Sequence, residues 1–265
     1  MLSFLSELRH RNDLLYFFGL ICLIASLVLL LLSATTSVKV YNVSAWYKPF
    51  KFAFSTFLYS WAMAWYCHYL QSFNTTLFSW TVIILLGFEI LYIALQAGRG
   101  QLSHYNVSTP LYATLYSLMA IAATAVTLYT AYIGVLFFSQ SFSNLPESYV
   151  WAIRLSIILF VVFSLEGFVM GSKLTHTIGG PDGEAGIPIL NWSTRYGDPR
   201  IAHFVGMHAL QVLPLLGYYF IRNTKGIVLI SFLYALLAVF TLIQALQGRP
   251  FFSKRNTDTR QGSQQ

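Results

Sequence analysis

The stretch LLYFFGLICLIASLVLLLLS, residues 14–33, decides the fold because it runs without a single charged side chain. An α-helix rises about 1.5 Å per residue, so about 20 apolar residues cross roughly 30 Å of hydrocarbon. Arg9 and Arg11 precede the stretch, as basic residues precede the apolar core of a secretory signal peptide. Its apolar core of about 19 residues exceeds the roughly 7–15 of such a peptide. We therefore predict a membrane helix.

Six more apolar stretches follow along the chain. They lie at residues 52–70, 77–97, 114–138, 149–171, 201–221 and 227–246. The 265 residues are 56% hydrophobic and 9% charged, with a mean hydropathy of +0.61, whereas a soluble domain carries about 25% charged residues. Because backbone polar groups in hydrocarbon must be paired internally, runs of this length indicate helices rather than barrel strands. The sequence predicts an all-α, polytopic transmembrane bundle of about seven spans in one domain, 1–250, and a disordered polar tail, 251–265.

The net charge of +7 comes from short loops and the tail, and it bears on partners and orientation. A nucleic-acid-binding protein gathers its basic residues on a soluble face, and this sequence predicts no soluble domain. Most lysines and arginines lie in the first, third and fifth loops and the tail, so the positive-inside rule places the C-terminus in the cytoplasm and the N-terminus outside. We expect a multi-pass protein of the cell membrane that contacts the lipid bilayer and no nucleic acid.

Two carboxylates fall inside predicted spans. Glu89 lies in the third span and Glu166 in the fifth. A carboxylate in the hydrocarbon costs about 2.5–3.5 kcal/mol on insertion scales, so each should face the interior of the bundle. We expect Glu89 and Glu166 to be catalytic through proton transfer; the alternative is a neutral, hydrogen-bonded tie between helices.

Four histidines lie in or next to these spans. His203 and His208 both belong to the sixth span, about 140° apart around a helix, so they do not share a face as a zinc-binding i, i+4 pair would. A dinuclear metal pair, or one ligand with a proton relay, stays open. His104 in the third loop and His176 in the fifth supply two more imidazoles. We predict all four as cofactor-binding residues, for haem or a transition metal, and His203 and His208 as metal ligands.

The loops of the basic side carry further polar residues. The fifth loop mixes glycine, proline and tryptophan with few charges, which is typical of a folded cap rather than a linker. Asp198 before Pro199 is typical of a helix start, whereas Arg200 opposes the positive end of that helix and requires an acidic partner or a ligand. Pro214 should free the carbonyl group of Leu210. The predicted substrate-binding residues are Lys51, Arg99, Asp182, Trp192, Asp198, Arg200 and Gln211.

Four runs of the sequence carry more information than their composition. They are RGQLSHYNVSTP at 99–110, GDPRIAHFVGMHALQVLP at 197–214, WYKPFKF at 46–52 and GPDG at 180–183. Together these runs resemble those of a bacterial family of multi-spanning inner-membrane proteins that has no assigned activity. The likeness extends from the second span to the sixth. It implies a bacterial inner membrane and no particular reaction.

The candidate residues predict one polar pocket at the ends of the second, third, fifth, sixth and seventh spans, the seventh contributing Gln244 and Gln247. Our first hypothesis is a haem- or metal-dependent enzyme that performs redox or hydrolytic chemistry on a lipid-soluble substrate such as a quinone or a lipid. The alternatives are a transporter or small-molecule receptor for an anionic or proton-coupled solute, and an assembly factor or subunit of a membrane complex. The last span lacks the mid-span lysine that a retinal Schiff base needs, which argues against a retinal protein.

Overall fold

The computed structural model describes residues 2–252, which form eight α-helices and one short hairpin. The helices are α1 (Leu2–Arg11), α2 (Asp13–Thr35), α3 (Tyr47–Cys67), α4 (Thr75–Gly98), α5 (Pro110–Ser139), α6 (Glu147–Lys173), α7 (Arg200–Tyr219) and α8 (Thr224–Leu246). Strands β1 (Lys39–Val40) and β2 (Val43–Ser44) pair antiparallel between α2 and α3. The predicted all-α bundle is confirmed. Most of the predicted polar tail, 253–265, lies outside the described residues.

Six of the described helices, α2 and α4 to α8, are long and apolar enough to cross a membrane. They correspond to six of the seven predicted spans. The remaining prediction, at 52–70, falls on α3, which has 21 residues but is less apolar. Its sequence YKPFKFAFSTFLYSWAMAWYC carries lysine, serine, tyrosine and tryptophan, and it packs against α2, α4 and α7. The protein is therefore membrane-embedded, and α3 is the most polar of its long helices.

Short polar residues fix where the helices begin. Asn12 separates α1, which the apolar pattern does not predict, from α2, and its side-chain oxygen accepts the backbone N–H of Leu15 at 3.0 Å. Asn74 and Asn223 cap α4 and α8 in the same way. Such caps satisfy N–H groups that have no partner within the helix. The starts of α2, α4 and α8 are therefore set by local sequence.

The packing of α7 shows how distant residues complete the fold. A Cβ atom at Gly206 would lie 2.0 Å from Cγ of Phe163, so only glycine allows α7 and α6 to approach this closely. Pro214 has no N–H to offer the carbonyl group of Leu210. The hydroxyl of Tyr66, in α3, donates a hydrogen bond of 2.8 Å to that carbonyl oxygen. The predicted free carbonyl is thus paired by a residue from another helix.

Candidate functional site

A cavity of about 450 Å³ lies between α3, α4, α5, α6 and α7. The β1–β2 hairpin, the loop at 99–109 and the segment at 174–199 contribute its outer lining. The prediction that the last helix lines the pocket is wrong for the described residues. Gln244 donates a hydrogen bond to the carbonyl oxygen of Pro250 at 2.9 Å, and no residue of α8 lines the cavity. Helix α5, which the sequence did not single out, contributes instead.

The segment at 174–199 is a folded cap over this cavity. Ile178 and Gly197 exchange two backbone hydrogen bonds, of 2.9 and 3.1 Å, which close the segment into a loop. A Cβ atom at Gly197 would lie 1.9 Å from the carbonyl oxygen of Ala245, so this glycine seats the loop against the end of α8. Gly183 has a φ of +90°, a left-handed conformation that favours glycine, and it lies against the ring of Tyr41. The cap is therefore packed against the β1–β2 hairpin at Gly183 and against the end of α8 at Gly197.

His176 and Asp182 form the first of two carboxylate–histidine pairs at the cavity. Nδ1 of His176 lies 2.7 Å from Oδ2 of Asp182, which also accepts the backbone N–H of His176 at 3.2 Å. Burial lowers the pKa of His176 to about 4, although the hydrogen bond with Asp182 opposes this. Burial alone would raise the pKa of Asp182, but the hydrogen bonds from His176 outweigh it and hold that pKa at about 2. At neutral pH the ionised carboxylate accepts from Nδ1–H, so Nε2 of a neutral imidazole is left to accept a proton.

His203 and Glu166 form the second pair. Nδ1 of His203 lies 3.4 Å from Oε2 of Glu166, whose side chain is 4% exposed. This separation is longer than a hydrogen bond, and neither carboxylate oxygen of Glu166 has a hydrogen-bond partner among residues 2–252. Gly167 lies beneath the ring, because a Cβ atom there would be 3.3 Å from Cε1 of His203. A buried carboxylate therefore faces one edge of an imidazole that lines the cavity.

The other two histidines have different surroundings. His208 has both ring nitrogens engaged, with Nε2 at 3.3 Å from Oγ of Ser55 and Nδ1 at 3.1 Å from Oε1 of Gln211. Nδ1 of His104 lies 3.2 Å from Oγ of Ser103. Burial, and secondarily the ammonium group of Lys48, lowers the pKa of His104 well below its usual value. His208 is therefore held by its neighbours, whereas His104 is a neutral imidazole in the outer part of the cavity.

The histidines do not gather into a metal centre in the part of the chain that the structure describes. No group of three or more His, Cys, Asp or Glu side chains there could hold a metal ion. The predicted metal ligands His203 and His208 have different neighbours. His203 lies next to Glu166, whereas His208 contacts Ser55 and Gln211. A metal site at this pair has no third ligand of these types within residues 2–252.

Arg200 has the acidic partner that its position requires, and this partner is Asp198. The guanidinium group donates to both carboxylate oxygens of Asp198, and it also donates to the carbonyl oxygen of Asn191 at 2.7 Å. The buried carboxylate accepts the backbone N–H of Ser193 at 2.8 Å as well. Asp198, predicted to bind substrate, therefore secures the cap instead. The helix begins at Arg200 with Pro199 at the N-cap position, and the backbone N–H of Arg200 donates to Oδ1 of Asp198 at 3.1 Å.

Most of the predicted site residues meet in this one cavity. Those that line it are Lys51, Glu89, His104, His176, Asp182, Trp192, Arg200, His203, His208 and Gln211. Glu166 touches the cavity through His203. Arg99 is exposed at the end of α4 and does not line the cavity, although His104 follows five residues later in the sequence and does line it. The structure thus brings together residues from four helices and two loops.

Sequence reasoning missed the wall that α5 provides. Tyr116, Ala120, Ala123 and Thr127 line the cavity, and they recur at helical spacing of three or four residues. This face of small and hydroxyl-bearing residues carries no charge, so it gave no sign of a site. The spacing was the signal that could have found it.

No family model, no curated protein and no solved structure matches this chain. The geometry of the cavity therefore carries the functional inference.

Proposed function

We propose that this membrane protein binds a lipid-soluble small molecule in the cavity and hydrolyses it by acid–base catalysis. The observation that supports the proposal is the presence of two carboxylate–histidine pairs, His176–Asp182 and His203–Glu166, at one cavity within the bundle. Hydrolysis needs only water besides the groups that are present. A cavity of about 450 Å³ is within the roughly 300–1,000 Å³ of small-molecule sites.

The lining combines apolar and polar side chains, which suits an amphipathic substrate. Phe160, Met119 and Met207 belong to its apolar part. His176, Asp182, His203 and the charged residues belong to its polar part, and Glu166 lies behind His203. Apolar side chains provide the favourable free energy of binding by removing an alkyl or aromatic group from solvent, and a few polar groups fix its orientation. The polar end of such a molecule would lie against the imidazoles.

In the proposed reaction, Nε2 of His203 takes a proton from water while the water oxygen forms a bond to the acyl carbon of an ester. Glu166 stabilises the imidazolium that forms, because its buried carboxylate faces Nδ1 at 3.4 Å. The carbon–oxygen bond to the alcohol then breaks, and the imidazolium returns the proton to the departing alkoxide. The acid and the alcohol leave, and His203 is neutral again. Apo distances of this length commonly shorten when substrate binds.

The test is hydrolysis of p-nitrophenyl dodecanoate by the full chain in phosphatidylcholine nanodiscs. We expect release of p-nitrophenol, and a fall in kcat of about 100-fold or more in His203→Gln and Glu166→Gln, the usual scale for loss of a general base. His68→Gln is the matched control, because His68 follows the far end of α3 and does not line the cavity. Absence of hydrolysis by the wild type, or an equal loss in His68→Gln, would refute the proposal.

A second candidate is the haem- or metal-dependent enzyme expected from the sequence. Histidines that ligate metals usually direct their other ring nitrogen to a carboxylate, and both His176 and His203 do so. Their Nε2 atoms would be the ligands. An optical spectrum and the metal content of purified protein test this candidate, and it predicts a Soret band or a stoichiometric metal that His203→Gln and His176→Gln remove. If the spectrum lacks a Soret band and the protein contains no metal, the second candidate is refuted and only the hydrolytic proposal stands.

The proposal includes the orientation that the loop charges indicate. The cavity end of the bundle carries most lysines and arginines, so we place it on the cytoplasmic side of a bacterial cell membrane. A C-terminal fusion to green fluorescent protein, which fluoresces only in the cytoplasm, should be bright. A dark fusion to green fluorescent protein, together with an active C-terminal fusion to alkaline phosphatase, which is active only outside the cytoplasm, would reverse the orientation.

A further inference from the structure

The first five residues of α3 include two lysines, whereas the start of a helix usually favours acidic residues. Lys48 and Lys51 both line the cavity, and no acidic residue lies in the first turn. The start of a helix bears a partial positive charge, so cations there are destabilising and anions are stabilising. The N-cap residue of α3, Trp46, makes no side-chain hydrogen bond to the helix. The partial positive charge at the start of α3 therefore adds to the charge of the two ammonium groups.

Neither lysine has a counter-ion among the residues that the structure describes. The ion pairs found there include no lysine. Lys51 donates to the carbonyl oxygen of Leu190, and Lys48 lies 6.0 Å from the ring centre of Tyr105. A partly buried ammonium group that lacks acceptors is costly, so these two groups have hydrogen-bonding capacity left for a ligand.

The charged groups around the two lysines do not supply the missing partner. Asp198 is engaged by Arg200, and Asp182 is engaged by His176. Glu166 lies behind His203 instead of among the lysines. Glu89 also lines the cavity, from α4, and it makes no ion pair with a lysine in the described chain. Lys48 and Lys51 thus lack a compensating negative charge. Burial, and secondarily the guanidinium group of Arg200, lowers the pKa of each lysine to about 7, so an anion bound between them would favour the protonated ammonium forms.

We infer that Lys48 and Lys51 form an anion subsite that holds the acidic head group, a phosphate or a carboxylate, of the substrate. The inference rests on the proposed function, because it names the chemical class of the molecule that the cavity takes. The head group lies at the start of α3, and the alkyl part extends toward Phe160 and Met207 in the apolar lining. The preferred substrate is therefore an acidic amphiphile. A neutral ester such as p-nitrophenyl dodecanoate still enters the cavity through its alkyl chain, but it binds more weakly, as does a small free anion.

The test measures equilibrium binding of radiolabelled dodecyl phosphate to the full chain in phosphatidylcholine nanodiscs, with empty nanodiscs as the blank. Dodecanol has the same chain without the charge, and inorganic phosphate has the charge without the chain. We expect dodecyl phosphate to bind at least about tenfold more tightly than either, because a charge-assisted hydrogen bond typically contributes a factor of this size. Lys48→Gln should weaken dodecyl phosphate binding about tenfold and leave dodecanol binding unchanged.

Two further variants keep the experiment interpretable. Lys48→Arg retains the charge and should retain binding. Lys39→Gln removes an exposed lysine of β1 that does not line the cavity, and it should have no effect. Equal binding of dodecyl phosphate and dodecanol would overturn the anion subsite while leaving the cavity as a binding site. Equal affinity for inorganic phosphate and dodecyl phosphate would refute the inference that the substrate has an apolar chain. Failure of both dodecyl probes to bind would refute the proposed function itself.

Discussion

The two ends of the helix bundle treat their polar groups differently. At the end where α1 lies, the guanidinium group of Arg154 donates to the carbonyl oxygens of Phe137, at 2.8 Å, and Gln140, at 3.3 Å, which are left open at the end of α5. Asn12 caps α2 and also donates to Oγ of Ser79 at 2.9 Å. These polar groups complete neighbouring helices. Nη1 of Arg11, at the same end, has no hydrogen-bond partner among residues 2–252, but the guanidinium group is paired with Glu7 through Nε.

At the cavity end, several polar groups remain without such partners. Both carboxylate oxygens of Glu166 lack hydrogen bonds, and Lys48 has no ion pair within the described residues. Buried polar groups are normally paired, so an open one has a structural cost that a ligand or a reaction can explain. The contrast separates polarity that stabilises the bundle from polarity that is available to a substrate.

The strongest challenge is Arg200→Ala, because Arg200 is at the cavity end and yet belongs to the fold. Removing it leaves the buried carboxylate of Asp198 uncompensated, which should lower the free energy of unfolding by about 3–5 kcal/mol. Unfolding by sodium dodecyl sulfate, followed by circular dichroism, measures the change. Arg195→Ala is the control, because Arg195 is 73% exposed and 3.6 Å from Glu184, and it should cost less than about 1 kcal/mol. Equal effects would mean that Arg200 is not structural.

The second prediction concerns acid sensitivity at the cavity end. His176 has a pKa near 4 in the fold and about 6.5 when unfolded, so between these values only the unfolded chain binds the proton. Stability should therefore fall as the pH drops from about 6.5 to 4, by up to about 3 kcal/mol. His176→Gln should flatten this part of the profile of thermal stability against pH. His10→Gln, at the exposed end of α1, should leave it unchanged.

The third prediction tests the pairing of the carbonyl that Pro214 leaves open. Tyr66→Phe should lower the free energy of unfolding by about 1–3 kcal/mol, because the buried carbonyl of Leu210 loses its donor. In a Pro214→Ala background the backbone N–H returns, so the same change should cost much less. A double-mutant cycle in detergent measures the difference. Additive effects would show that Tyr66 stabilises the fold by another route.

The smallest expected effect is at the α1 end. Trp61 stacks on Tyr16, with ring centres 5.7 Å apart, and its indole N–H donates to the backbone carbonyl of that residue at 3.1 Å. Trp61→Phe keeps most of the stacking and should cost about 1 kcal/mol. Activity per folded molecule toward p-nitrophenyl dodecanoate should not change. A loss of activity without a loss of stability would show that the α1 end also contributes to the reaction, which contradicts the contrast between the two ends.

Local sequence was enough for the bundle and for several of its details. The apolar runs located six helices, Asp198 lies where the sixth predicted span begins, and the carbonyl freed by Pro214 followed from the chemistry of proline. The second predicted span, at 52–70, falls on α3, whose polar residues make it less apolar than the six helices that could cross a membrane. Helix α1 was missed because its ten residues are too short for a span.

The amino-acid sequence is sufficient to predict a membrane-embedded helical bundle, because apolar length and charge depletion are properties of each segment alone. Most of the site residues that the sequence selected line the cavity. Only the tertiary structure decided that α5 rather than α8 forms a wall, that Asp198 serves Arg200, and that Arg99 faces away. These outcomes depend on how each helix is rotated about its axis and on its neighbours, and that rotation is set by packing between residues far apart in the chain.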